Sequence, residues 1–298
     1  MAVNSPLNDA PLKVWVERDG ALLRLRLARP KANIVDAAMI AALQAAFDGH
    51  RASAVHQGAS AVHQDAGAVH QGTGAVRQSA GAAHNSAGGV RHRAVLLDAE
   101  GPHFSFGASV EEHLAERCAG MLASLHALIL CMLEWPVPIL VAVRGQCLGG
   151  GLELAMGGSL IFAAGDAKLG QPEIQLGVFA PAASCLLPPR VGQAAAEDLL
   201  ISGRSIGAEE ALRLGLVTSV SADPEAAALA YFDQHLAGKS ASSLACAVTA
   251  ARGGYLPEVR RRIAEVERLY LDRLMQTRDA NEGLAAFIAK RPPIWEHR

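Results

Sequence analysis

The stretch Gly145-Gln146-Cys147-Leu148-Gly149-Gly150-Gly151-Leu152-Glu153-Leu154-Ala155-Met156 decides the fold prediction. The apolar run Pro138 to Val143 before it predicts a buried strand, and the apolar residues after the glycines predict a helix. Three glycines in such a turn let the backbone approach a ligand closely. The free N–H groups of the helix's first turn, at the positive end of its dipole, would polarise a carbonyl oxygen. A tight packing turn is the alternative, and a phosphate loop is excluded because no Gly-Lys-Ser/Thr follows.

A second glycine turn, Phe106-Gly107-Ala108, also precedes a predicted helix. It could supply a further N–H group from Ala108, and two such donors on one oxygen would form an oxyanion hole. A purely structural loop is the alternative interpretation of this turn.

Two glutamates stand in unusual surroundings. Glu153 lies in the first turn of an apolar helix, and Glu173 lies in the loop Leu169-Gly170-Gln171-Pro172-Glu173-Ile174. Glutamate is rarely buried without a role or a partner. A pair of acids can activate water at one carbon and protonate the next carbon. The alternatives are an ordinary charge at a helix start and a solvated loop acid.

Strand and helix signals alternate along the chain and predict an α/β fold with a layered sheet core. Asp19-Gly20 predicts a hairpin turn inside Val14 to Leu27, and from about Pro181 onward the chain is predicted to form successive helices. A capping box of Ser109 and Glu112 is also predicted. The predicted helix starts are Asp36 as a cap, Ser109, about Cys118, Pro224 and Pro257.

Residues 50–92 carry a repeated seven-residue unit, Ala-Val-His-Gln-Gly-Ala-Ser, whose first four residues recur from Ala54-Val55-His56-Gln57 onward. A coiled coil is disfavoured because the apolar positions are adjacent and are only Ala and Val. Because Ala and Val bury little apolar surface, their burial cannot offset the entropy lost on ordering the chain. We therefore expect a disordered surface insertion. Metal binding is the alternative, because six of the 11 histidines fall in this tract.

Composition excludes several classes of function. The 298 residues carry 27 basic and 29 acidic side chains without a basic stripe, which argues against nucleic acid as a partner. The N-terminus has no apolar targeting segment, and no apolar run has the length of a membrane span. The five scattered cysteines indicate buried thiols in a reducing cytoplasm. No motif points to a metal or an organic cofactor.

The motifs together resemble the crotonase (enoyl-CoA hydratase/isomerase) family. Five segments carry the resemblance: Gly145 to Met156, Leu169 to Gly177, Phe104 to Ser109, Arg29 to Asn33, and Glu282 to Phe287 with Lys290-Arg291. The resemblance implies a repeated ββα core in residues 1–49 and 93–222. It also implies a helical region over residues 223–298 that covers the CoA site and builds a homotrimer or hexamer.

The resemblance also implies roles for individual residues. Ala108 and Gly150 would form the oxyanion hole for an acyl-CoA thioester, and Glu153 and Glu173 would be the catalytic acids of a hydratase. CoA itself enters as part of the substrate. The residues expected to bind CoA are Lys31, Ala32 and Lys290, and those expected to bind the acyl group are Phe106, Gly149, Phe179 and Pro181.

Some positions depart from the family pattern. Ser109 stands where Asp is usual, and Glu111 stands where many relatives carry Lys. The stretch Val178 to Ser184 resembles the subfamily that hydrates cyclohexa-1,5-diene-1-carbonyl-CoA in aromatic acid degradation. Phe106, Phe179 and Pro181 would then shape an apolar slot for a flat ring. A double-bond isomerase and a non-catalytic acyl-CoA-binding relative are the alternative functions.

Overall fold

The computed structural model describes residues 10–30, 32–54 and 92–298. It opens with the predicted hairpin, in which strand β1 (Leu12–Glu17) pairs antiparallel with strand β2 (Leu22–Leu27). The turn takes positive φ at Arg18, Asp19 and Gly20, and the hairpin prediction is confirmed. The structure describes only the two edges of the predicted insertion 50–92, and the rest of that segment stays a prediction. Residues 50–54 end the first helix and His92 is buried, while residues 55–91 lie outside the described part.

The remaining strands are β3 (Ala94–Ala99), β4 (Ile139–Val143), β5 (Gln146–Leu148), β6 (Leu160–Ala164), β7 (Lys168–Gly170), β8 (Ser205–Gly207) and β9 (Ser219–Ser221). The α-helices are α1 (Ala37–Ala54), α2 (Ala115–Leu133), α3 (Gly150–Met156), α4 (Pro181–Val191), α5 (Gln193–Ser202), α6 (Ala208–Arg213), α7 (Pro224–Tyr231), α8 (Ala241–Arg252), α9 (Tyr255–Asp272) and α10 (Arg278–Ile288). Short 3-10 helices lie at Val110–His113, Pro172–Leu176 and Leu274–Gln276, and a π-helix lies at Phe232–Leu236.

Two sheets organise the described residues. The larger has the order β1-β2-β3-β4-β6-β9 and is parallel beyond the first hairpin. The smaller has the order β5-β7-β8 and carries the glycine turn at the end of β5. Alternate side chains of the large sheet enter two different apolar clusters. Val95 and Leu97 join one, and Leu96 joins the other, so helices cover both faces. The α/β prediction is confirmed.

Several local predictions need correction. Ser109 and Glu112 form no capping box, because the Ser109 side chain caps nothing and Glu112 instead accepts from the Ala37 amide. Only a 3-10 turn follows Ser109. Helix α9 begins two residues before Pro257, and the short strands β8 and β9 interrupt the region predicted to be helical. The Asp36 cap is confirmed, since its Oδ1 accepts from the Met39 amide at 2.9 Å.

Helix α2 is the one described helix that is long and apolar enough to cross a membrane. Its buried face, which includes Leu122, Leu125 and Ile129, packs in the main core, where α2 contacts α1 and α9. That packing accounts for the apolar composition of α2.

The C-terminal region is helical as predicted. Every regular secondary-structure element of the described chain after Asp223 is a helix.

A buried ion network ties the large sheet to α7. Asp98 on β3 is fully buried and accepts from Arg24 Nε at 2.8 Å and from Arg26 Nη2 at 2.9 Å. Glu225 on α7 accepts from Arg24 at 2.6 Å. Each charge is compensated only while all partners remain in place.

Replacing Asp98 with Ala will lower the free energy of unfolding by about 3–5 kcal/mol, because it leaves two guanidinium groups without their buried partner. Denaturant unfolding measures this change. Asp198→Ala breaks the exposed pair with Arg204 and serves as the control. Equal stability of the two variants would contradict the prediction.

Candidate active site

Two chain segments meet at backbone distance and create the site. Ser105 bridges to β5: its amide donates to the Gln146 carbonyl, and its carbonyl accepts from the Leu148 amide, both at 3.0 Å. A Cβ atom on Gly151 would lie 2.6 Å from the Ser105 Cβ. Glycine at position 151 is therefore required by packing as well as by any ligand.

The amides of Ala108 and Gly150 lie side by side. A Cβ built on Gly150 would fall 3.0 Å from the Ala108 nitrogen, and Gly107 reaches this approach with φ of +111°. Among the described residues neither amide donates to a protein acceptor. The amide of Gly149, in contrast, donates to the Gly170 carbonyl at 2.9 Å. Within the described residues, these two N–H groups are therefore free to donate, and they lie close enough for a single ligand oxygen to accept a hydrogen bond from each.

Glu153 lies on α3 one turn after these amides. Its side chain is buried, and Oε1 accepts from the Ala183 amide of α4 at 2.8 Å. Burial raises the pKa of Glu153, while the Ala183 amide and the charge of His126 act in the opposite direction. The carboxyl group is thus fixed in orientation and surrounded mainly by apolar groups.

Glu173 reaches the same place from the 3-10 helix after β7. A Cβ on Gly149 would lie 2.6 Å from Glu173 Oε1, so the glycine leaves the space that the carboxyl group fills. The Gln171 amide group lies 3.1 Å from both carboxyl oxygens and donates to them when its nitrogen faces Glu173. Burial first, and then the charge of Glu153, raises the pKa of Glu173 to about 8. The side chain keeps partial access to the cavity.

These groups line one narrow cavity of about 70 Å³, several times the space that a single water needs. The remaining lining is mostly apolar. It includes Phe106, Val110, His113, Leu122, Leu125, Leu176, Val178, Phe179, Pro181 and Leu284.

The residues expected to bind the acyl group, Phe106, Gly149, Phe179 and Pro181, all line this cavity. Phe106 is 43% exposed, and the Phe179 ring packs on Tyr270 at 5.3 Å.

The three residues expected to bind CoA are placed differently. The Ala32 carbonyl accepts from the Phe106 amide at 2.9 Å, which puts Ala32 beside the cavity. Lys290 is exposed just after α10 and does not line the cavity, and Lys31 lies outside the described residues.

Sequence reasoning missed three polar side chains near the site. His113 lines the cavity from the 3-10 turn after Ser109. His126 on α2 is buried, and its Nδ1 lies 2.6 Å from Oε2 of Glu267 on α9. The buried hydroxyl group of Tyr270 has no hydrogen-bond partner among the described residues. The sequence shows His126 as an interruption in an apolar helix, but nothing indicates what it faces. The described residues contain no cluster of three potential metal ligands.

Comparison with known proteins identifies the family of the chain. Residues 82–298 match the profile described as enoyl-CoA hydratase/isomerase. The chain is 58% identical over 291 residues to cyclohexa-1,5-dienecarbonyl-CoA hydratase of Thauera aromatica, covering 97% of this chain and 98% of the relative. The chain belongs to the enoyl-CoA hydratase/isomerase family. A probable enoyl-CoA hydratase of Bacillus subtilis is 35% identical, over 67% of this chain and 80% of its own length.

Solved structures of the family share the fold. An enoyl-CoA hydratase of Mycobacterium avium superposes with a TM-score of 0.74 at 21% identity, covering 96% of this chain and 98% of that one. An enoyl-CoA hydratase/isomerase of Pseudoalteromonas atlantica T6c gives 0.71 at 27% identity, covering 96% and 99%. The predicted crotonase fold and family resemblance are confirmed.

We expect Glu173→Gln to stabilise the protein at alkaline pH. The pKa of Glu173 is above its usual 4.5, so the folded state holds this proton more tightly than the unfolded chain. That contribution is complete below about pH 4.5 and is lost as the pH rises through about 8. Glutamine keeps the neutral form, so the variant should exceed the wild type by about 1–3 kcal/mol at pH 9 and match it near pH 4.5.

Unfolding by denaturant at the two pH values measures this difference. Glu209→Gln, an exposed change on α6, is the control and should show no such pH dependence. A Glu173→Gln variant that is less stable than the wild type at pH 9 would contradict the expected sign.

Proposed function

We propose that this protein is a hydratase that adds water to the conjugated double bond of a cyclic dienoyl-CoA thioester. One observation carries the proposal: two amides without an acceptor among the described residues converge with two carboxyl groups on one mostly apolar cavity. The name of the relative from Thauera aromatica supports the cyclic dienoyl group as the substrate. Aromatic acid degradation is the setting that we propose for this reaction.

In the proposed reaction the thioester oxygen accepts hydrogen bonds from the Ala108 and Gly150 amides. This interaction stabilises the negative charge that develops on that oxygen as a nucleophile attacks the conjugated system. Preorganised donors of this kind typically contribute a factor of 10²–10³ to the rate. The short helix α3 adds its dipole to the same effect.

The two carboxyl groups divide the proton transfers. Glu153, which the Ala183 amide holds in orientation, takes a proton from water in its ionised form as the water oxygen bonds to carbon. Burial raises the pKa of Glu153, and the Ala183 amide and His126 oppose that rise. Glu173, which its raised pKa keeps protonated near neutrality, gives a proton to the carbanionic carbon of the enolate. The water supplies the hydroxyl group and one proton, so the two carboxyl groups together hold as many protons after the addition as before it. The proposed reaction therefore needs no metal or organic cofactor.

The shape of the cavity wall supports the proposal of a flat acyl group. Phe106 and Phe179 offer two aromatic faces, and Pro181, fixed at the start of α4, closes the slot. Lys31, Ala32 and Lys290 remain proposed CoA contacts. A cytoplasmic homotrimer or hexamer, with the C-terminal helices at the interface, is the proposed assembly.

Ultraviolet absorbance of thioester substrates tests the activity directly. Cyclohexa-1,5-dienecarbonyl-CoA and crotonyl-CoA are offered separately, and the rates and products are compared. Loss of the conjugated band indicates hydration, with the cyclic substrate expected to be faster. A shifted band would indicate an isomerase, and an unchanged spectrum with both substrates would indicate a non-catalytic relative; either result overturns the proposal.

Glu153→Gln and Glu173→Gln should each reduce kcat by about 10²–10⁴, because each removes one proton-transfer group. The matched control, Glu209→Gln, should keep the wild-type rate. Steady-state hydration rates measure the effect, and near-normal turnover in either variant would remove that acid from the mechanism.

Gly150→Ala should reduce kcat by about 10²–10³, since the new methyl group lies 3.0 Å from the Ala108 nitrogen and displaces the thioester oxygen. Gly165→Ala adds a methyl group with no neighbour within 4 Å and is the control. Wild-type kcat in the Gly150 variant would show that the two amides do not act together.

A further inference from the structure

The cavity contains one polar side chain besides the two glutamates in the part of the chain that the structure describes. This is His113, at the end of the 3-10 turn that follows the Ala108 amide. Its Nδ1 lies 2.7 Å from the carbonyl oxygen of Ser109. A carbonyl oxygen can only accept, so Nδ1 carries the hydrogen and donates it.

That bond fixes what the other ring nitrogen can do. In the neutral ring with hydrogen on Nδ1, Nε2 holds a lone pair and is an acceptor only. Burial lowers the pKa of His113, against the smaller opposing effects of Ser109 and Glu112, and favours this neutral form. Nε2 has no hydrogen-bond partner among the described residues.

The neighbouring cavity wall cannot satisfy this acceptor. The lining near the turn comes from Val110 on the same turn, Leu122 and Leu125 on α2, and Leu284 on α10, none of which has a side-chain donor. Among the described residues, the other titratable side chains in the lining are Glu153 and Glu173, and a carboxyl group can donate a hydrogen bond only when it is protonated. An acceptor in such a wall suits a ligand that brings its own O–H group.

We propose that His113 is a substrate-binding residue whose Nε2 accepts a hydrogen bond from the hydroxyl group of the hydrated acyl chain. The inference rests on the proposed hydratase function. A dienoyl ring has no donor, whereas water addition creates one. His113 would therefore distinguish the hydroxylated thioester from its dehydrated form and hold the hydroxyl group in place for the reverse elimination.

Two saturated thioesters isolate this contact: 2-hydroxycyclohexanecarbonyl-CoA and cyclohexanecarbonyl-CoA, which differ by one hydroxyl group. Their dissociation constants are measured by calorimetry in the full chain carrying Glu173→Gln, which blocks turnover. In that background, His113→Leu should weaken the hydroxylated ligand about 3- to 15-fold, the range expected for one hydrogen bond. Binding of the other ligand should stay within about twofold.

Two further variants separate a hydrogen bond from a change of shape. His113→Gln keeps an acceptor on a similar side chain and should retain part of the preference for the hydroxylated ligand. Leu125→Val changes an apolar neighbour in the same wall and should affect both ligands equally. Thermal unfolding of each variant checks that it is folded.

An unchanged preference in a folded His113→Leu variant, or equal weakening of both ligands, overturns the role of His113. These outcomes are distinct from failure of the proposed function. That failure would appear as no hydration of dienoyl-CoA by the wild-type protein, and it would overturn the inference as well.

Discussion

The site depends on the close backbone contact between the Ser105–Ala108 turn and the turn from β5 into α3. The parallel bridge between Ser105 and Cys147 sets the spacing, and Gly151 permits it because any side chain there would collide with Ser105. Once the two turns are at this distance, the amides of Ala108 and Gly150 are neighbours. The proposed oxyanion hole is thus a consequence of sheet and turn packing, and no flexible side chain has to be ordered to create it.

The same packing forces two acids into one poorly solvated place. Gly149 leaves room for the Glu173 carboxyl group, and α4 supplies the amide that orients Glu153. Two carboxylates cannot both ionise easily when they are close and buried, so one proton is retained by the pair. The arrangement that destabilises the folded chain is therefore the one that supplies one base and one acid in the proposed mechanism.

Local patterns predicted the parts of the structure that depend on neighbours in sequence. The hairpin, the Asp36 cap, helix α3 and the fold class follow from alternation, capping residues and glycine turns, and the glutamates and amides follow from the family motifs. Contacts between distant segments gave no such signal. Arg24 belongs to an alternating strand pattern, yet it is buried because Asp98 and Glu225 compensate its charge. His113 sits in a polar stretch after Ser109, and only the fold brings it against α2 and α10.

The helical C-terminal region also affects the surroundings of the site, although it contains neither Glu153 nor Glu173. Glu267 on α9 binds His126 on α2, and the charge of His126 acts on Glu153. Tyr270, three residues after Glu267, supports the Phe179 ring that forms one wall of the cavity. Leu284 on α10 contributes to another wall. Leu284 of α10 lines the cavity, whereas α9 supports one of its walls through Tyr270 and pairs with His126 through Glu267. Glu153 and Glu173 therefore acquire their full environment only when these helices are packed against the sheet region.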